Sequence, residues 1–255
     1  MGRNHDVEIL RCREDNYAYL IHDAETGATV LIDAPESQAL RDALAERGWK
    51  PTHILLTHHH FDHVDGVEDQ REGAIVVGAE ADAHRLPTLD QVVAPGDVVT
   101  VGQLEFHVLD APGHTLGHIA YYLPQRDALF SGDSLMVHGC GRLFEGTAQD
   151  MFGTISAMSK LPEKTRVFSG HDYAEANLAF AATCGVDPVA LENRQRDLHV
   201  LKQSGAPTVG VSLSDERSLN PYMRADLPAT AEALGLVGAA PAEIFAEIRA
   251  RKDQF

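Results

Sequence analysis

Short apolar segments, each only a few residues long, recur through the first two-thirds of the chain. Segments of this length, separated by turn residues, are typical of β-strands. The pattern predicts strands at residues 8–11, 17–22, 28–33, 52–57, 74–78, 98–101, 104–110, 119–123, 128–131 and 166–169. Helical periodicity predicts helices at residues 37–47 and 148–160, with Ser37 and Thr147 as their N-caps and Gly48 ending the first. Strands mixed with helices predict a layered α/β fold.

The pattern becomes helical after residue 173. Leu191, Leu198 and Leu201 recur at helical spacing and are followed by Gly205, which is typical of a helix end. The predicted elements are helices at 174–184, 189–203, 228–234 and 241–252, with a polar loop at 206–217. The last two helices carry proline near their first turn, where its missing N–H costs nothing. We therefore expect two domains, residues 1–173 and a helical domain at residues 174–255.

The composition is that of an ordinary globular protein, with 255 residues, 44% hydrophobic and 23% charged. There is no apolar run of membrane-spanning length, and residues 1–10 lack the apolar core of a secretory signal. The three cysteines, Cys12, Cys140 and Cys184, show no paired spacing, which favours a reducing compartment. The sequence therefore predicts a cytoplasmic protein, which we take to be a monomer without a membrane partner.

The formal net charge is −17 at pH 7. Binding to nucleic acid depends on basic side chains that neutralise phosphates, and an acidic surface opposes it. The charge therefore excludes nucleic acid as an expected partner.

A candidate metal-binding motif follows directly after the apolar segment at residues 52–57, where the chain reads Thr-His-His-His-Phe-Asp-His. In open α/β sheets, ligands bind at the carboxyl ends of strands. Side chains two residues apart in extended chain point the same way, so His58 and His60 can share one metal ion. Asp62 and His63 come after the chain begins to turn, and we expect them to face a second ion.

Three more candidate ligands stand in short glycine-containing motifs: His114 in Pro-Gly-His-Thr, Asp133 in Ser-Gly-Asp-Ser and His171 in Ser-Gly-His-Asp. Imidazole and carboxylate suit Zn(II), Fe(II) or Mn(II), and the lack of cysteine argues against a closed structural zinc site. Asp133 has two oxygens and can bridge two ions. We interpret the neighbouring His59 and His118 as packing or supporting residues.

The motif set is similar to that of the metallo-β-lactamase superfamily. Three further segments resemble the hydroxyacylglutathione hydrolase (glyoxalase II) family: Gly-Cys-Gly-Arg-Leu-Phe-Glu-Gly at 139–146, Asn-Pro-Tyr-Met-Arg at 220–224 and Arg-Ala-Arg-Lys-Asp-Gln-Phe at 249–255. The resemblance implies an αββα sandwich of the metallo-β-lactamase type with a C-terminal helical domain. It also implies two divalent metal ions per chain, zinc first and iron or manganese as alternatives.

The resemblance assigns roles to individual residues. It implies that metal 1 is held by His58, His60 and His114, metal 2 by Asp62, His63 and His171, and that Asp133 bridges both and orients the nucleophile. It implies glutathione contacts for Arg142, Tyr173, Arg249 and Lys252. The chain departs from the family pattern at Phe144, where tyrosine is frequent, and at Asp65, where glycine is usual.

The implied reaction is hydrolysis of an S-(2-hydroxyacyl)glutathione, with S-D-lactoylglutathione as the leading substrate and a metal-bridging hydroxide as the nucleophile. A thiol has a pKa of about 8.5, so the leaving thiolate needs little proton donation. Three alternatives stay open. They are an iron-dependent persulfide dioxygenase, another metallohydrolase such as a lactonase or β-lactamase, and a catalytically silent binding protein.

Overall fold

The structure, a computed structural model, describes residues 7–255. Residues 1–6, which belong to the segment in which the sequence predicts no secretory signal, lie outside the described residues. The chain groups into two compact units, one containing the chain up to Asp110 together with Gly117–Gly132, the other containing Ala111–Leu116 and Asp133–Phe255. The predicted division at residue 173 follows a change in sequence character and stays a prediction.

The first unit contains a sheet in which strands adjacent in the chain are also adjacent in space. Its strands are β1 (Val7–Cys12), β2 (Asn16–Asp23), β3 (Ala28–Ile32), β4 (His53–Leu55), β5 (Ile75–Ala79) and β6 (Gln91–Val93). The pairs from β1 to β3 are antiparallel, and those from β3 to β6 are parallel. Helix α1 (Gln38–Arg47) buries Leu40 and Leu44 in a core cluster that includes Leu31 and Ile54.

The same unit contains four further strands, which pair antiparallel in the order β10-β9-β8-β7. They are β7 (Val98–Val101), β8 (Leu104–Asp110), β9 (Ile119–Leu123) and β10 (Ala128–Gly132). Two one-turn helices, α2 (Phe61–Val64) and α3 (Val67–Gln70), follow β4. Phe106, Tyr121 and Phe130 are completely buried, which identifies this part of the unit as a hydrophobic core.

The second unit is mainly helical. Its helices are α4 (Ala148–Met158), α5 (Ala174–Ala181), α6 (Pro188–Ser204), α7 (Leu213–Leu219), α8 (Pro228–Leu234) and α9 (Pro241–Lys252). Strands β11 (Leu135–Met136) and β12 (Gly139–Cys140) form a short hairpin, and β13 (Arg166–Ser169) pairs antiparallel with β14 (Val211–Ser212). Leu178, Leu198 and Leu219 pack together in a buried cluster.

The helix ends follow the predicted capping pattern with one exception. Thr147 accepts a hydrogen bond from the Asp150 amide and forms a capping box, and Gly48 and Gly205 end their helices in the left-handed conformation. Ser37 occupies the N-cap position of α1, but its side chain makes no capping hydrogen bond. The prediction for Ser37 is therefore right in position and wrong in mechanism.

The polar loop predicted at 206–217 is wrong from residue 211 onwards, because β14 and α7 occupy this segment. The Ser212 hydroxyl accepts a hydrogen bond from the Asp215 amide at 3.1 Å and caps α7. Helical spacing places Leu213, Glu216 and Leu219 on the buried face. The charged residues between them hid this periodicity in the sequence.

Over residues 7–255, none of the helices has both the length and the apolar character needed to cross a bilayer.

Candidate metal and substrate site

The four ligand candidates that follow β4 lie close together in the first unit. His60 is still in extended backbone conformation, and α2 begins at the next residue, so the chain turns between the two pairs of ligands. The ligand atoms of His58 and His60 lie within 4.8 Å of one another, and the same holds for His58 with His63 and for Asp62 with His63. Atoms at this spacing are close enough to bind metal ions together.

Asp33, at the end of β3, fixes the orientation of the His63 ring. Its Oδ2 lies 2.9 Å from His63 Nδ1 and accepts the Thr57 hydroxyl at 2.8 Å, while Oδ1 accepts the Thr57 amide. A carboxylate only accepts, so Nδ1 of His63 carries the proton and Nε2 carries the lone pair that a metal requires. Asp33 adopts a positive φ of 54°, a conformation that aspartate tolerates better than most residues.

The same chain of hydrogen bonds sets the protonation of His58. The Thr57 hydroxyl donates to Asp33, so toward His58 Nδ1, 3.0 Å away, the Thr57 oxygen acts as the acceptor. Nε2 of His58 is then also the lone-pair nitrogen. Histidines that bind metals usually donate their other ring N–H to a neighbouring polar group in this manner.

His59 and His118 contact other residues of the site in the supporting manner predicted from the sequence. His59 Nδ1 lies 2.9 Å from Oδ2 of Asp82, a completely buried carboxylate that also accepts from Arg85 Nε at 3.0 Å. A Cβ atom at Gly117 would lie 2.3 Å from the Asp82 carboxylate, so any other residue there would displace this carboxylate. The buried His118 ring stacks on His58 with 4.7 Å between ring centroids.

The second unit brings together the other three ligand candidates. Asp133 Oδ2 lies 3.4 Å from His114 Nε2 and 3.3 Å from His171 Nε2, and all three residues are buried. Two ligand atoms bound tetrahedrally at 2.0–2.1 Å from one zinc ion are about 3.3–3.4 Å apart. His114 Nδ1 lies 2.8 Å from the carbonyl oxygen of Arg142, which only accepts, so Nε2 of His114 carries the lone pair.

The segment after Asp133 runs close beside this ligand. The Gly141 amide donates to Ser134 O at 3.0 Å, and any side chain at Gly141 would overlap the carbonyl oxygen of Asp133. Arg249 also contacts this segment, because its Nη1 donates to Cys140 O at 3.1 Å. Its Nη2 donates to Asp253 Oδ1 at 2.7 Å, within the C-terminal tail. Arg249 is 5% exposed.

The other residues expected to contact substrate are more accessible. Arg142 is exposed, and Tyr173 is 39% exposed with its ring stacked on His171, 5.0 Å between centroids. Lys252 is half-buried and donates from Nζ to Ala176 O at 3.0 Å. Phe144 is 63% exposed and lies edge-on to the His114 ring. Contacts of Arg142, Tyr173, Arg249 and Lys252 with glutathione stay predictions.

Burial shifts the pKa of two groups in this region. Burial raises the pKa of the Cys140 thiol to about 11, although the neighbouring Arg249 charge acts in the opposite direction. Cys140 is therefore a protonated thiol at neutral pH and a poor nucleophile. Burial lowers the pKa of Lys252, and the positive charges of Arg249 and Arg142 lower it further.

Three supporting residues were not identified as such from the sequence. Asp33 and Asp82 orient His63 and His59, and the Asn16 amide nitrogen lies 3.0 Å from Asp62 Oδ2. Asp33 at the end of an apolar segment was the one visible signal, because polar residues in that position often face a site. Asp65, which stands where the family usually has glycine, forms an ion pair with Arg13 at 2.8 Å.

Comparison with known proteins places these observations in a family context. The family profile of the metallo-β-lactamase superfamily matches residues 13–171, and the profile of the hydroxyacylglutathione hydrolase C-terminus matches residues 172–255. The hydroxyacylglutathione hydrolase of Cereibacter sphaeroides is 52% identical over 98% of this chain and 99% of the relative. That of Ruegeria pomeroyi is 49% identical with the same coverage.

Among solved structures, ETHE1 from Myxococcus xanthus superposes with a TM-score of 0.65 at 30% identity, over 97% of this chain and 98% of that one. The profiles and this likeness confirm the predicted fold class, a metallo-β-lactamase fold with a C-terminal helical region.

Proposed function

Because the chain belongs to the hydroxyacylglutathione hydrolase family of the metallo-β-lactamase superfamily, we propose that it hydrolyses S-(2-hydroxyacyl)glutathione thioesters. The leading substrate is S-D-lactoylglutathione, and the products are glutathione and D-lactate, which places the reaction in methylglyoxal detoxification. The observation that carries the proposal is that the whole ligand pattern is present in a chain matching its relatives over nearly its full length.

We further propose that the site holds two divalent ions, with zinc as the leading metal. His58, His60 and His114 would hold one ion, Asp62, His63 and His171 the other, and Asp133 both. The donor chemistry fits, because hydrogen bonds at Nδ1 of His58, His63 and His114 leave Nε2 as the lone-pair nitrogen in each ring. Bound ions of this kind lower the pKa of water toward about 7 and polarise carbonyl oxygens.

The side chains of the second unit would bind and orient the thioester. Glutathione is anionic and the protein carries a net charge of −17, so substrate binding needs a local cation. The exposed Arg142 guanidinium can bind a carboxylate through two parallel hydrogen bonds. Lys252 adds a second positive charge, and the exposed ring of Tyr173 offers a flat surface to the peptide part of glutathione.

The proposal also covers the oligomeric state, the location, the partners and the domain division of the protein. We propose a monomer that acts in the cytoplasm on a small substrate, with neither nucleic acid nor membrane as a partner; the acidic surface supports the exclusion of nucleic acid. The domain division at residue 173 is supported by the two family profiles, which meet between residues 171 and 172.

The alternatives are less well supported. The names of the similar curated proteins favour thioester hydrolysis over persulfide oxidation, lactone hydrolysis or β-lactam hydrolysis. A silent binding protein would be expected to have lost a ligand, and the chain retains all of them.

The test is an assay for hydrolysis of S-D-lactoylglutathione, in which the loss of thioester absorbance is monitored. The metal content is measured on the same sample. We expect turnover with up to two ions per chain, and loss of both metal and activity in Asp133→Ala. Glu192→Ala, which removes an exposed carboxylate from α6, is the control. Full activity in metal-free protein, or turnover restricted to a β-lactam, a lactone or a persulfide with oxygen uptake, would overturn the proposal.

A further inference from the structure

Asn16 is a buried polar residue at the first position of β2, and its amide points at a residue far away in the sequence. The side chain is 4% exposed. Its Nδ2 atom lies 3.0 Å from the main-chain oxygen of Asp62 and 3.0 Å from Asp62 Oδ2. The Asn16 amide nitrogen therefore donates to both the main chain and the side chain of the same residue.

The second of these hydrogen bonds is made to the Asp62 side chain, which is 37% exposed. Asp62 Oδ2, the atom that accepts it, lies 3.8 Å from His63 Nε2, the lone-pair nitrogen of that ring. The main-chain bond by itself would fix only the backbone at Asp62, whereas the bond to Oδ2 acts on the carboxylate itself.

His63 is held in the same manner from the opposite side of the pair. Asp33 fixes the His63 ring through Nδ1, and Asn16 fixes the Asp62 carboxylate through Oδ2. Asn16 is the first residue of β2, Asp33 directly follows β3, and both ligand candidates lie in α2. The pair is therefore oriented by hydrogen bonds that belong to the first unit alone.

The side chain of Arg13, in the turn that precedes Asn16, contacts three residues that are not ligand candidates, one in α2, one directly after it and one elsewhere in the chain. Arg13 donates from Nη2 to Asp65 Oδ2 at 2.8 Å and from Nε to Pro35 O at 2.7 Å, and its guanidinium lies 4.8 Å from the centre of the Phe61 ring. Arg13 and Asn16 thus both contact residues in α2, but of these two only Asn16 contacts a ligand candidate.

We propose that Asn16 is a positioning residue for metal binding, which orients the Asp62 carboxylate for one of the two ions. This inference rests on the proposed function, because it takes Asp62 and His63 as ligands of the second ion. Loss of a residue that orients a metal ligand typically lowers metal affinity about 10- to 100-fold. Loss of Asn16 should therefore lower the affinity for one ion by that factor and change the affinity for the other by no more than about twofold.

The experiment is a titration of metal-free protein with Co²⁺ alone, in which the absorption spectrum and chelator competition report the two ions separately and no turnover is required. The variants are Asn16→Ala and, as the matched control on the same turn, Arg13→Ala. In Asn16→Ala we expect the affinity for one Co²⁺ ion to fall selectively. In Arg13→Ala we expect both Co²⁺ ions to bind with unchanged affinity.

Wild-type affinity for both ions in Asn16→Ala, whatever its melting temperature, would show a merely structural role and overturn the inference. Equal weakening of binding at both ions in Asn16→Ala, or the same selective weakening in Arg13→Ala, would overturn it too. If Asn16→Ala does not fold, Asn16→Leu, which keeps a side chain of similar size but has no donor, decides by the same criterion. A wild-type protein that binds fewer than two Co²⁺ ions would instead refute the dinuclear site of the proposed function.

Discussion

Arg249 and Lys252 are close in sequence and carry the same charge, but they have different surroundings. The Arg249 guanidinium is buried and donates to the carbonyl oxygen of Cys140, whereas Lys252 is half-buried beside the aromatic rings of Phe180 and Phe255. Residues 249–255 therefore contain one basic residue, Arg249, that holds the chain in place, and another, Lys252, that is more accessible to solvent.

Substitution by methionine should separate these roles. Arg249→Met leaves buried carbonyl groups without a donor, which should lower the free energy of unfolding by about 1–3 kcal/mol. Lys252→Met should change it by no more than about 1 kcal/mol, and should raise KM for the glutathione thioester with little change in kcat. Denaturant unfolding and steady-state kinetics on both variants check this. A stable Arg249→Met variant with only a raised KM would contradict the division of roles.

Phe144 offers the opportunity to add a contact. Its ring is 63% exposed, so a hydroxyl added by Phe144→Tyr would be in reach of solvent or ligand and would incur no burial cost. One hydrogen bond contributes about 0.5–1.5 kcal/mol, so KM should fall roughly two- to tenfold. The melting temperature should not change. Substrate titration with unchanged KM would show that the ring does not face glutathione.

Individual ligands could be predicted from the sequence because their spacing is local. His58, His60, Asp62 and His63 lie within one short segment, and the residues around Asp133 have their own glycine signature. The supporting residues could not, because hydrogen bonds such as Asn16 to Asp62 join positions 46 residues apart. No periodicity in the sequence records a contact of that kind.

At the level of elements, α4 tests how much a predicted cap contributes. The Thr147 side chain and the Asp150 side chain cap each other's backbone amides at the start of this helix. Thr147→Ala should lower the free energy of unfolding by about 0.5–2 kcal/mol. Ser37→Ala is the matched control, since Ser37 occupies an N-cap without a capping bond and should cost less. Equal losses in denaturant unfolding would count against the assigned capping role of Thr147.

Most longer elements were predictable, and the short ones were not. Strands such as β8 and β9 show an apolar pattern over several residues, whereas β11, β12 and β14 are two residues long and exist through pairing alone. Helix α7 is different, because Ser212 followed three residues later by Asp215 is a start signal present in the sequence. Its buried Glu216, which accepts from the His138 amide and from Asn220, made the helix look polar throughout.

For the whole molecule, the buried thiols predict how stability depends on alkaline pH. Burial raises the pKa of Cys12 from 9.0 to about 12 and that of Cys140 from 9.0 to about 11. Between pH 9 and 10 both thiols lose their proton in the unfolded chain and keep it in the folded one. The unfolded state then binds fewer protons, so stability falls as pH rises, by up to about 1.4 kcal/mol per pH unit for each thiol.

Denaturant unfolding at a series of pH values between 8 and 10 measures this slope. The stability lost by the wild-type protein over this range should exceed the loss in a Cys12→Ala, Cys140→Ala double variant. Both thiols should also resist alkylation at neutral pH until the protein is denatured, because the reactive form is the thiolate. Identical slopes in the two proteins would show that other groups govern the alkaline limit.

The close passage of Gly141 beside the Asp133 carbonyl has a consequence for how this protein can evolve. Because the obstruction is backbone, a neighbouring side chain cannot move aside to admit even the methyl group of alanine. In a saturation library selected for survival in methylglyoxal, we expect glycine to be the sole amino acid recovered at position 141. Recovery of alanine or serine at wild-type frequency would show that the segment shifts to admit them. In lineages of this enzyme, position 141 should therefore be closed to drift, whatever changes accumulate elsewhere in the chain.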